Sequence, residues 1–142
     1  MKKFEWNDSL SVGVPMIDVQ HKEIITAFND LSEAIEQGNG AASVKKLLTF
    51  LKYFTEWHFE QEESCAAKHR CAVADINHQA HTRFLAIFTA LQAQYRESGA
   101  SDAIARQAHA QLADWLVSHI MTIDTQIGQC VRHATALVSV DH

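Results

Sequence analysis

Four stretches of this chain repeat apolar residues every three or four positions, with short polar or glycine-bearing breaks between them. That period lines one stripe of an α-helix and does not suit a strand, whose faces alternate at every residue. From Ile17 the first stripe runs through Ile24, Ile25, Phe28, Leu31 and Ile35, and Gly38-Asn39-Gly40 stops it. The second carries Val44, Leu47, Leu48, Leu51, Phe54 and Trp57 toward Arg70. The third carries Phe84, Leu85, Phe88 and Leu91 to Ser98-Gly99, with Asp75 as its expected N-cap. The fourth opens at Asp102 and carries Ile104, Leu112, Trp115, Leu116, Ile120, Ile123 and Ile127. The expected helices are therefore 17–37, 41–70, 76–97 and 102–133. An extended arm, 1–16, precedes them; its Phe4, Trp6, Val12 and Val14 lack helical period, and Pro15 closes it. Long helices joined by short loops predict an all-α fold, an antiparallel up-down-up-down four-helix bundle forming a single domain over 1–142. Five glycines and one proline are too few turn-formers for a many-stranded alternative.

Several classes of function are excluded by composition. A net charge of −5, with twelve thinly spread Lys and Arg, offers no basic patch for nucleic acid. No apolar run approaches the ~20 residues of a membrane span, and the opening MKKFEWNDSL lacks the apolar centre of a signal peptide. Cys65, Cys71 and Cys130 are odd in number and lack CxxC spacing, which argues against a disulfide framework and for a reducing, cytoplasmic home.

Histidine is the anomaly: there are nine, and several fall on or beside apolar stripes. His21 precedes Ile24 and Ile25 by three and four; His58 follows Phe54 by four and is followed by Glu62 at the same interval. His78 and His81 lead into Phe84, and His119 follows Leu116 by three, with Asp124 five further on. A lone histidine on such a face is more often a hydrogen-bonded core residue than a ligand, and Glu62 alone, within Glu60-Gln61-Glu62-Glu63, would more often be solvated. Convergence reverses that weighting, because a buried imidazole or carboxylate is costly unless paired or metal-bound, and here every helix supplies one. Bundles build metal sites from inward residues on facing helices, and imidazole with carboxylate suits iron, or less specifically zinc or manganese. Six or seven candidate ligands exceed one tetrahedral site, so two metals are expected. Five residues of ideal helix turn ~500°, which leaves His119 and Asp124 roughly 140° apart. A bridging carboxylate, or a local π-turn, reconciles them. His109 lies off the His119 stripe and is expected to be exposed; His69 is expected as a helix-end cation, and His133 and His142 in a frayed tail.

These segments resemble the hemerythrins, and among them the bacterial branch. Trp6-Asn-Asp with Ile17-Asp-Val-Gln-His21-Lys is similar to that family's opening, and His58-Phe-Glu-Gln-Glu62-Glu63 to its HFxxEE segment. His81-Thr-Arg-Phe84 is similar to its HxxF, and Trp115-Leu-Val-Ser-His119-Ile-Met-Thr-Ile-Asp124 to its WLxxHIxxxD. The resemblance implies a bundle around two iron ions, a non-haem, oxo- or hydroxo-bridged di-iron centre that binds O₂ reversibly. It implies His21 and His58 on the iron that takes up O₂, His81 and His119 on the other, and Glu62 and Asp124 bridging. Trp115, Leu116 and Ile123 would line a dry O₂ pocket.

One departure stands out. The family's third helix reads HxxxH, and the position of the first histidine is here Asn77, with His78 displaced by one. Either a tightened first turn brings His78 to the metal, which is the preferred expectation, or Asn77 or water fills the place. The Tyr-Pro that precedes this helix in the family is replaced by Cys71-Ala72. The expected role is therefore not an enzyme but an O₂ carrier, or an O₂- or redox-sensing domain with a fused or interacting signalling output domain as partner. The rival is a di-iron enzyme that processes O₂, peroxide or nitric oxide.

Overall fold

The computed structural model describes residues 3–140, with side chains through 133; His142, expected in the tail, lies outside the described residues. After a 3₁₀ turn at Asp8–Leu10, helix α1 spans Pro15–Glu36, α2 Gly40–Lys68, α3 Ala74–Ser98 and α4 Asp102–His119. A π-helical turn, Ile120–Asp124, joins α4 to α5, Thr125–Val140, so these three pieces make one rod. The molecule is an all-α four-helix bundle, as its periodicity predicts.

The arm ends two residues sooner than expected, because Pro15 opens α1 instead of closing the segment before it; a proline in the first turn forfeits no helical hydrogen bond. Two α1 side chains pin the arm down. Asp18 accepts the Val12 N–H at 2.8 Å and the Ser11 hydroxyl at 2.6 Å. Asn29 accepts the Phe4 N–H at 2.8 Å and donates to the Phe4 carbonyl at 2.6 Å. Leu10 and Val12 are thereby buried. The arm crosses α5 so closely that a Cβ on Gly128 would sit 1.7 Å from the Val12 carbonyl oxygen, so only glycine fits there.

Ser101 caps α4 by accepting the Ile104 N–H at 3.1 Å. At α3 the expected cap fails: the helix starts at Ala74 behind Val73, and Asp75 sits inside its first turn. The α helix also continues past 133 to Val140. Phe28, Leu31, Leu51, Phe84, Leu91, Leu112, Leu116 and Ile120 fill the interior. Each such side chain contributes about 1.5–3 kcal/mol on leaving water. His109, expected to be exposed, is buried, its ring 6.4 Å from those of both Phe4 and Phe28. It follows Ala105 by four and precedes Leu112 by three, and so lies on the α4 apolar stripe.

The cysteines also depart from expectation. Cys71, in the α2–α3 connection, is disulfide-bonded to Cys130 on α5, with Cα atoms 5.8 Å apart. The pair is separated by 59 residues in sequence, and only the antiparallel return of the chain brings them together. Cys65 remains a free thiol. Cysteine usage therefore gives no argument for a reducing compartment. Among the described residues no helix is long and apolar enough to cross a membrane.

Candidate metal centre

α1 and α3 begin, and α2 and α4 end, at the same end of the bundle, and each delivers polar side chains into the interior there. His21, His58, Glu62, His81, His119 and Asp124 are all buried, with Glu62 wholly inaccessible. Two overlapping donor groups result: His21, His58 and Glu62 on one side, and Glu62, His81, His119 and Asp124 on the other.

The carboxylates divide their oxygens between the two sides. Glu62 Oε2 lies 3.4 Å from both His21 Nε2 and His58 Nε2, while Oε1 lies 3.1 Å from His81 Nε2 and 3.8 Å from His119 Nε2. Asp124 Oδ2 lies 3.2 Å from His21 Nε2, and Oδ1 lies 3.0 Å from His119 Nε2. The π-turn makes the second arrangement possible. Its wider turn inserts one residue between His119 and Asp124, bringing onto one face two side chains that an ideal helix would splay apart.

Electrostatics of the metal-free chain show what the cluster requires. Burial pulls the His21 pKa down, but the carboxylates of Asp124 and Glu62 beside its ring outweigh that and push it up to about 9. The same balance pushes His119 up to about 9. Burial raises the Glu62 carboxyl, yet the surrounding imidazoles of His119, His21, His58 and His81 hold it well below the usual carboxylate range. Protons on imidazole thus supply the positive charge that the carboxylates demand.

Those protons leave the cluster incompletely satisfied. His21 Nε2, both oxygens of Glu62 and Asp124 Oδ1 are buried without a hydrogen-bond partner. Atoms rich in lone pairs, converging and unpaired, are costly in a dry interior and fit a pair of cations. Imidazole nitrogen with carboxylate oxygen suits iron, and no cysteine belongs to either donor group among the described residues. Cys65 is kept as a neutral thiol by burial and by the negative charge of Glu62.

Around the donors, His58 Nδ1–H donates to the buried Gln20 Oε1 at 2.5 Å, which leaves Nε2 free to ligate. Gln20 escaped the sequence reading although it lies three after Ile17 and four before Ile24, on the buried stripe. Phe59 stacks on His81 with ring centroids 3.8 Å apart. Trp115 stacks on His119 at 4.7 Å, and Leu116 packs in the main core. Ile123 packs instead with Ala66, Cys71 and Ile127, so the three expected pocket residues do not form one wall.

The third-helix expectation is corrected. The His78 side chain is 70% exposed and hydrogen-bonds to Glu63, outside both donor groups. Asn77 is wholly buried in its place, its Oδ1 2.9 Å from His119 Nε2. Because α3 is regular from Ala74, Asn77 shares a face with His81 four residues on, and His78 is rotated ~100° away.

The family profile described as Hemerythrin HHE cation binding domain matches residues 12–131. This chain belongs to the hemerythrin family. It is 29% identical over 138 residues to a bacteriohemerythrin of Pseudomonas aeruginosa, covering 94% of this chain and 85% of that one. A bacteriohemerythrin of Stenotrophomonas maltophilia is 31% identical over 131 residues, covering 89% and 80%. A myohemerythrin of Sipunculus nudus is 27% identical over 121 residues, covering 85% and 88%. The hemerythrin cofactor is a non-haem di-iron centre, and the cluster here supplies imidazole and carboxylate donors for it.

Proposed function

We propose that this hemerythrin binds O₂ reversibly at a di-iron centre held by His21, His58, Glu62, His81, His119 and Asp124. The observation that carries this reading is the division of the two buried carboxylates, each turning one oxygen to the His21 side and one to the His119 side. Such an arrangement suits two ions that share both anions, rather than a single ion. Bound there, a pair of ferrous ions supplies the two electrons for reversible capture of O₂.

The chain's own residues set the terms of that capture. Gln20 holds His58 in the tautomer with a bare Nε2. Trp115, flat against His119, and the buried Leu116 keep water from the cluster. An open groove of about 500 Å³ between α1 and α2 is lined by residues such as Lys22, Thr26, Asp30 and Phe50, with no donor of the cluster in its walls. The same centre would serve O₂ storage, delivery or, joined to an output domain, sensing.

The test is to reduce iron-loaded protein anaerobically, admit O₂, and purge with argon while following the visible spectrum. A charge-transfer band that appears with O₂ and vanishes on purging is the expected result. Rapid, irreversible conversion to the diferric spectrum would overturn reversible binding in favour of a di-iron enzyme that consumes O₂ or peroxide.

A further inference from the structure

We propose that Asn77 is itself a metal ligand, its amide oxygen completing the donor set of the ion on the His81–His119 side. The inference rests on the two-metal reading above and assigns a residue that the His/Asp/Glu cluster does not include.

Three observations carry it. First, the spacing of the donors is that of ligands around one ion. Octahedral metal–ligand bonds of about 2.1 Å place neighbouring ligand atoms about 3.0 Å apart. His119 Nε2 lies 2.9 Å from Asn77 Oδ1, 3.1 Å from His81 Nε2 and 3.0 Å from Asp124 Oδ1. His81 Nε2 lies 3.1 Å from Glu62 Oε1, another such edge.

Second, a hydrogen bond alone does not account for the contact once the site is loaded. A ligating His119 has no proton on Nε2, and the two lone pairs would repel at 2.9 Å. A cation between them turns that repulsion into two bonds.

Third, the amide is wholly buried, and its Nδ2 has no hydrogen-bond partner. Holding a half-satisfied amide in a dry interior is unfavourable, and a bond from its oxygen to a cation would offset that.

The consequence is a change in the character of one ion. Each side then offers two imidazoles and two carboxylate oxygens, and the His81–His119 side adds a neutral amide oxygen. Amide oxygen is a harder donor than imidazole and suits Mn(II) as well as Fe(II). The ion on this side is held less tightly than a third imidazole would hold it, and discrimination between iron and manganese is weaker there.

The experiment loads metal-free protein anaerobically with Fe(II) and, separately, with Mn(II). Bound ions per chain are counted by elemental analysis, chelator competition gives affinities, and the electron paramagnetic resonance of the Mn(II) form distinguishes a coupled pair from a lone ion. Wild type is expected to bind two ions of either metal. Asn77→Leu, similar in size but without a donor, is expected to hold one ion tightly and lose on the order of 100-fold in affinity for the other. Asn77→Asp keeps an oxygen at that place with added charge, and is expected to retain the coupled pair and bind it more tightly. Two ions at wild-type affinity in Asn77→Leu would overturn the ligand assignment while leaving the two-metal reading intact. Should Asn77→Leu fail to fold, unchanged affinity in Asn77→Asp would overturn it equally. A wild-type chain that binds one ion or none would overturn the two-metal reading itself.

Discussion

Around Phe28, Leu51 and Leu112 the bundle interior is mainly hydrocarbon, with the single imidazole of His109 against Phe28, whereas seven residues along the same helices, at His21, His58 and His119, it is imidazole and carboxylate. Seven residues are two helical turns, about 10 Å, so one set of helices builds two interiors of opposite kind. The hydrocarbon end gains stability from every residue it buries. The polar end buries donors that have unmet hydrogen-bonding capacity, and depends on cations or protons to hold them. The first end supplies the rigidity that lets the second keep costly groups close together.

Glu62→Ala breaks this comparison most severely. It removes the one carboxylate that faces all four imidazoles, and iron is expected to fall from two ions per chain to none by elemental analysis. Retention of both ions would show that Asp124 alone suffices as the shared anion. Leu112→Ala, at the fully buried hydrocarbon end, is expected to lower unfolding free energy by about 2–5 kcal/mol in urea titration while leaving the ion count unchanged. Loss of metal in this variant would show that the two ends are not separable.

A smaller effect comes from pH. His21 and His119 are raised from 6.5 to about 9 in the metal-free fold, so they bind protons more tightly folded than unfolded. Their stabilisation is complete below 6.5 and is lost as pH rises through about 9. Thermal unfolding of metal-free protein should therefore weaken across that window. The loaded protein, with ions in place of those protons, should stay flat there.

Much of this molecule was legible in the sequence, for a physical reason. Period three-and-four fixes which residues share a helix face, and it places His21, His58, Glu62, His81 and His119 on inward faces without reference to any contact. The π-turn at Ile120–Asp124 was legible as a conflict, since His119 and Asp124 do not share a face of an ideal helix. What escaped depends on a single step of rotation or on distant contacts. His78 and Asn77 differ by one residue, and the start of α3 at Ala74 instead of beyond Asp75 decided which of them points inward. His109 lies off the stripe defined by His119, yet its neighbours Ala105 and Leu112, small and large apolar residues, place it indoors. The Cys71–Cys130 bond joins residues 59 apart, a relation set by how the bundle closes and invisible to local pattern.

The π-turn has an effect beyond the cluster. One additional residue in a helix shifts the phase of everything downstream by ~100°, so α4 and α5, though collinear, are written in two different frames. Asp124 faces the donors, Gly128 admits the arm at Val12, and Cys130 meets Cys71, all within the second frame. Straightening the turn to α geometry without removing a residue would swing these three positions together off their partners, whereas deleting one residue between His119 and Asp124 would leave those two four apart and still on one face. The wide turn therefore acts as a clutch: it sets the angle at which the last helix engages the metal centre, the arm and the disulfide at once.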